Sequence, residues 1–130
     1  LVKLEIKKEL FLDSLDFNKA TKTESGLKIL SLKKGDGKKV TTSQEITTTL
    51  QLHTATGKLI SKSPEGRPFV FTIDKQPMIA GFKEGILTMR QGDKKRLFVP
   101  YYLGYGDAAN GPIPAKSDLI FELEIIKVGN

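Results

Sequence analysis

Cysteine and tryptophan are absent from the 130-residue sequence, and histidine occurs once, as His53. Without cysteine there is no disulfide, no thiolate nucleophile, no cysteine-built zinc cluster and no iron–sulfur site. A serine–histidine–aspartate triad would have to run through His53, and a threonine-rich strand is a poor setting for it. No metal site and no cofactor are expected. No run of about 18 apolar residues is present, so nothing reads as a membrane-spanning helix. What remains is an ordinary core. Hydrophobic residues make up 38% of a chain of single-domain length, which can bury about two-thirds of its unfolded surface. Twelve glycines and six prolines point to short elements joined by many turns.

Basic residues outnumber acidic ones, 21 to 15, for a net charge of +6. That balance permits an acidic partner such as nucleic acid or an anionic membrane. Apart from Arg67, Arg90 and Arg96, however, the basic residues are lysines dispersed in short pairs. Forked contacts to phosphate are scarce, and no nucleic-acid partner is expected. The chain starts at Leu1 rather than at methionine, which reads as a processed or trimmed chain from which any signal peptide is already gone.

Residues 1–25 read as an N-terminal extension, with the domain proper over 26–130. Val2, Leu4 and Ile6 alternate with charged residues, as in a short exposed strand. Leu10, Phe11, Leu12, Leu15 and Phe17 follow with a looser, partly helical spacing, and 18–25 reads as a polar linker. Strand signals then run through 27–32, the threonine-rich 45–54, the short 59–61 and 68–73, 94–100 and, most clearly, 118–128. In that last stretch Leu119, Phe121, Leu123 and Ile125 share one face, and Glu122 and Glu124 the other. Between them, Pro77 to Met89 places Ile79, Phe82, Ile86 and Met89 at helical spacing, with Pro77 suited to a first turn. The expected architecture is α+β: about five antiparallel strands wrapped on one short helix.

The chemistry-bearing feature is a set of aromatic and large apolar residues near loops. Phe69, Phe71, Met78, Ile79, Phe82, Tyr101, Tyr102, Tyr105, Ile113 and Phe121 belong to it. Pattern alone makes most of them plain core. Tyr105 stands apart, because a Gly104-Tyr-Gly106 loop makes no packing demand for a tyrosine, whose hydroxyl can instead serve as a donor over a hydrophobic hollow.

Several motifs, in order, resemble the FKBP-type peptidyl-prolyl isomerases. They are Gly26 to Ile29 running into Gly35-Asp-Gly37, Arg67-Pro-Phe-Val-Phe71, Met78-Ile-Ala-Gly-Phe-Lys-Glu-Gly85, Met89, Gly92 and Lys94-Lys-Arg96. Val99-Pro100, Tyr105-Gly106, Ile113-Pro114 and Leu119 to Glu124 complete the series. The resemblance spans about 26–128. The lead-in Thr23-Glu-Ser-Gly-Leu27 is similar to the junction in bacterial Mip-like members, and with the Leu1 start it implies an extracytoplasmic protein of the periplasm or cell envelope.

The resemblance implies an apolar proline pocket walled by Phe69, Met78, Ile79, Ile113 and Phe121, with Phe82 as its floor where most members have tryptophan. Tyr105 matches the tyrosine whose hydroxyl bonds a substrate or macrolide carbonyl, and the Ile79 N–H matches a second donor. Three positions depart from the family. Leu50 replaces a tyrosine, Ile60 a phenylalanine, and Ser61 the aspartate of a Phe-Asp-Ser-Ser stretch that here reads Ile60-Ser-Lys-Ser63. Leu50 and Ile60 keep the pocket apolar; Ser61 removes a carboxylate from its edge. The implied activity is cis–trans isomerisation of X–Pro bonds in proline-containing polypeptides, with Tyr105, Phe82, Phe121 and Ser61 at the reacting amide and an FK506- or rapamycin-like macrolide as a further ligand. The alternative is a catalytically weak peptide-binding or chaperone module on the same fold.

Overall fold

The computed structural model describes residues 2–129, and side chains from Lys7 onward. Its elements are α1 (Val2–Ser14), β1 (Thr21–Lys22), β2 (Lys28–Lys33), β3 (Glu45–Thr54), β4 (Leu59–Lys62), β5 (Phe69–Thr72), α2 (Ala80–Ile86), β6 (Lys94–Val99) and β7 (Leu119–Val128). All strand pairs are antiparallel. They form one sheet in the order β1-β2-β6-β7-β3-β4, with β5 also paired to β3. The class is α+β as expected, but the sheet has seven strands rather than five. One extra strand is β1, which lies in the stretch that reads as a polar linker and pairs Thr21 with Ile29. The short strands β4 and β5, each signalled in the sequence, share one edge of β3: Glu45–Thr48 pair with β5, and Gln51–His53 with β4.

The central strands are long and β-branched, and their inward side chains make the main core. Ile46, Leu97, Leu119, Leu123 and Ile125 are essentially inaccessible, as are Leu27, Ile86 and Met89. Helix α2 lies across this inner face. It is shorter than the apolar spacing suggests, because Pro77 and Met78 precede it and Met89 follows it, the latter donating its N–H to the Ile86 carbonyl at 3.1 Å. Two glycines in seven residues give little intrinsic helicity, so packing against the sheet holds α2 in place.

The N-terminal alternation of Val2, Leu4 and Ile6 forms helix α1 rather than a strand. The reason lies further along. Lys8, Phe11, Leu12 and Leu15 recur at three- and four-residue intervals, and a helix puts them on one side. That side docks on the outer face of the sheet, where Phe11, Leu12, Leu15 and Phe17 cover Ala55, Phe98 and Ile120. Phe17 meets Phe98 edge-on with centroids 5.1 Å apart, and Lys28 Nζ lies 3.7 Å from the Phe17 ring centre. The rest of the outer face carries ion pairs, Arg96–Glu122 at 2.8 Å and Lys33–Glu124 at 3.4 Å. His53 sits beneath α1, its ring 5.7 Å from that of Phe11, on the face away from Leu50 and Leu52.

At the far end of α2 the chain turns through Gly35-Asp36-Gly37. The buried Asp93 carboxylate closes this region, accepting the Gly35 N–H at 2.6 Å and the Arg90 N–H at 2.8 Å.

Candidate functional site

Between α2, the inner face of β3 and β7, and the edge strands β4 and β5 lies a cleft of about 490 Å³. An adjoining lobe of about 630 Å³ opens toward the start of α2, and Met78, Phe82, Tyr105 and Phe121 line both. Three rings make the floor. Phe82 is 7% exposed, its centroid 5.2 Å from Phe121 in an edge-on contact and 6.0 Å from Phe71. Phe82 projects from α2 and Phe121 from β7, so the floor exists only while the helix lies on the sheet.

The walls come from alternation along β3 and from the two short edge strands. Leu50 and Leu52 are two apart on β3 and face the cleft together, beside Ile60 and Ser61 of β4 and Phe69, Val70 and Phe71 of β5. Ser61 is the ladder partner of Leu52, next to a register shift between Leu52 and His53. Two residues on, the buried Ser63 fixes the wall by accepting the Leu50 N–H through Oγ at 3.1 Å and donating its own N–H to the Leu50 carbonyl at 2.9 Å. Ser63 has this structural role and does not line the cleft.

The remaining rim is the loop from Tyr101 to Ser117. It begins with a 3-10 turn, Tyr101–Leu103, whose Tyr101 N–H donates to Asp118 Oδ1 at 2.8 Å. Gly106 takes a φ of +67°, open to glycine at no steric cost, and donates its N–H to the Tyr101 carbonyl at 2.9 Å. Asn110 and Ile113 exchange two backbone hydrogen bonds of 2.9 Å, which turns the chain back and buries Ile113 against the cleft. Tyr105, 37% exposed, is thereby held at the mouth of both lobes.

Of the ten site residues that the family resemblance implies, nine line the main cleft: Leu50, Ile60, Ser61, Phe69, Met78, Phe82, Tyr105, Ile113 and Phe121; Phe71 of the aromatic set lines it too. Ile79 lines the adjoining lobe, in extended conformation at the N-cap of α2. The first N–H groups of the helix therefore lack intrahelical acceptors on that side. Tyr101 and Tyr102 stand apart, packed edge-on against each other with centroids 5.9 Å apart. Leu52, Val70, Gln76, Asn110 and Pro112 also line the cleft and were not singled out. Period-two spacing from Leu50 points to Leu52; no pattern in the sequence marks Gln76 or Asn110. No acidic or basic side chain among the described residues lines either lobe. Among the described residues, no cluster of three histidine or acidic side chains offers a metal site.

The fold and site define the class of domain: an antiparallel sheet curled onto a short helix, with an aromatic-floored cleft between them. The chain belongs to the FKBP-type peptidyl-prolyl cis-trans isomerase family, whose model matches residues 36–126. It is 44% identical over 68 residues to FK506-binding protein 1 of Aspergillus oryzae, covering 52% of this chain and 59% of that protein. It is 39% identical over 69 residues to peptidyl-prolyl cis-trans isomerase FKBP2 of Homo sapiens, covering 52% and 49%. The crystal structure of FkpA from Escherichia coli superposes with a TM-score of 0.82 at 26% identity, over 98% of this chain and 60% of that one. The chain spans about half the length of the curated relatives it matches.

Proposed function

We propose that the cleft catalyses cis–trans isomerisation of X–Pro bonds in proline-containing polypeptides. The carrying observation is the uncharged cleft floored by Phe71, Phe82 and Phe121, with the Tyr105 side chain at its mouth. Rotation about the amide faces a barrier of about 18–20 kcal/mol, because the planar form is resonance-stabilised. No nucleophile is needed to lower it. A water-poor apolar pocket favours the less polar twisted amide over the planar one, which is differential binding of the transition state. Each 1.4 kcal/mol or so of that difference is a tenfold rate gain.

The roles follow from position. Phe82 and Phe121 hold the proline ring; Leu50, Ile60, Phe69, Met78 and Ile113 exclude water around it. The Tyr105 hydroxyl donates to a flanking substrate carbonyl, and the Ile79 N–H serves the adjoining lobe. Ser61 offers a neutral hydroxyl at the edge, so polar groups there are held less strongly than a carboxylate would hold them. A macrolide of the FK506 or rapamycin type would fill the same cleft; FK506 is the ligand in the name of the Aspergillus relative. The functional unit on this reading starts at Gly26, with residues 1–25 as an extension docked behind it. The extracytoplasmic location implied by the lead-in is proposed with it; a precursor lacking a signal sequence would remove that part.

The test is refolding of a proline-limited substrate, or a protease-coupled assay, at micromolar protein. Acceleration that FK506 abolishes is expected. A rate equal to the uncatalysed background overturns the enzyme reading. Leu50, Ile60 and Ser61 specifically favour a second reading, a peptide-binding module with little catalysis, which would bind prolyl peptides in calorimetry without accelerating them.

A further inference from the structure

Asp118 stands immediately before β7, and its two carboxylate oxygens serve different parts of the chain. Oδ1 accepts the Tyr101 N–H at 2.8 Å, and Oδ2 lies 2.6 Å from Lys8 Nζ. Tyr101 opens the turn that leads to Tyr105, and its carbonyl accepts the N–H groups of Gly104 and Gly106, at 3.0 and 2.9 Å. Both neighbours of Tyr105 are thus tied to a residue whose own N–H is held by Asp118. Lys8 belongs to α1, which covers Phe98 and Ile120 on the face of the sheet opposite the cleft. A cavity of about 170 Å³, bordered by Lys8, Leu12, Phe17, Pro100 and Asp118, leaves this contact incompletely filled.

We propose that Asp118 is a positioning residue that couples the docking of α1 to the placement of Tyr105 at the cleft. The consequence for ligand rests on the proposed prolyl site; the coupling itself does not. Charge-assisted hydrogen bonds are the stronger kind, and the carboxylate supplies one on each side. The Lys8 and Asp118 side chains remain 41% and 32% exposed, so the ion pair adds little to global stability. Losing the acceptor of the Tyr101 N–H is a different matter, because that amide then has only water to bond and the turn loosens. The effect of breaking the link is therefore local to the loop.

The test compares the intact chain with its Lys8→Gln, Asp118→Asn and Asp118→Ala variants, by amide hydrogen exchange without ligand and by calorimetry with FK506. Asp118→Ala is expected to speed exchange at Tyr101, Gly104 and Gly106 about tenfold, with Leu123 and Ile125 in the sheet unchanged. It should weaken FK506 about threefold to tenfold. Asn keeps an acceptor for the Tyr101 N–H but loses the charge, so Asp118→Asn should match Lys8→Gln, with about a twofold to threefold rise at the same amides. Lys8→Gln should change nothing further in the Asp118→Ala background. Wild-type exchange in the loop of Lys8→Gln, or a rise spread evenly over the sheet, overturns the coupling. If Asp118→Ala does not fold, the other two variants decide alone. If the wild-type chain binds no FK506, the macrolide reading of the cleft fails, while the exchange data still decide the link through Asp118.

Discussion

Gly81→Ala should destabilise the protein, although it replaces the poorest non-proline helix former with the best. Propensity alone favours alanine by about 1 kcal/mol in a helix interior, and by less near an end. Against this stands the approach of α2 to the sheet. A Cβ at position 81 would lie 2.5 Å from Val99 Cγ1, 3.1 Å from Cγ2 and 3.3 Å from the Leu103 carbonyl oxygen. Val99 is 1% exposed and β-branched, so rotating χ1 exchanges one colliding methyl for the other. Leu103 O belongs to the backbone of a turn and cannot swing away. Helix α2 must lift, and overpacking of this kind costs about 1–3 kcal/mol. With a propensity gain of about 0.5 kcal/mol near the helix end, the balance is a net loss of about 0.5–2.5 kcal/mol, read as a lower midpoint in urea at unchanged m-value. Because α2 carries Phe82, FK506 affinity should fall as well. Val99→Ala alone costs about 1.5–3 kcal/mol, but it also removes both colliding methyls. The double variant should therefore lose about 1–3 kcal/mol less than the sum of the singles. A stabilising Gly81→Ala, or strict additivity with Val99→Ala, would refute the close-approach argument.

Three further outcomes are expected. Tyr105→Phe should leave the urea midpoint unchanged, since the residue is at the rim, and weaken FK506 by about 0.5–1.5 kcal/mol in calorimetry through the lost hydroxyl. Phe82→Ala should cost about 3–5 kcal/mol of unfolding free energy by opening a cavity between Phe71 and Phe121; a loss under about 1 kcal/mol would mean that these rings are not a packed floor. Ser61→Asp, alone or with Leu50→Tyr, should raise kcat/KM in the protease-coupled assay if the missing carboxylate limits activity. Folded variants with unchanged kcat/KM and FK506 affinity would show a cleft adapted to another ligand.

Much of the fold was legible in the strand patterns themselves, whereas the candidate cleft was legible only through motifs in order. Strands β3 and β7 announce themselves by branched, alternating residues, and their inward sets meet in the core. The cleft residues are scattered over β3, β4, β5, α2 and two loops, so no local pattern joins them; only the ordered motifs of a family do. Where the reading erred, the cause was local. The polar stretch 18–25 contains β1, because two residues that pair with Lys28 and Ile29 need no apolar face to form a strand. Pro77 fell outside α2, because the chain stays extended through Ile79 to border the adjoining lobe.

The strand expected over Val2 to Ile6 is instead the start of α1, continuous with the partly helical spacing that begins at Leu10. The reason for a helix there lies a hundred residues away. In a sheet with one wet face, β7 should alternate throughout, and from Phe121 to Ile125 it does. At its start, however, Leu119, Ile120 and Phe121 are apolar in succession and all are buried. Ile120 pairs with Phe98, which likewise interrupts the alternation of β6 and points outward. Two apolar side chains side by side on the outer face need a cover, since burying each stabilises by about 1.5–3 kcal/mol relative to leaving it in water. The cover must itself be apolar on one side. The stretch from Phe11 to Phe17 supplies it with Phe11, Leu12, Leu15 and Phe17. A helix presents Leu12 and Leu15 together, whereas a strand would set them on opposite faces. The demand of Phe98 and Ile120 therefore decides between strand and helix for a segment whose own pattern is ambiguous.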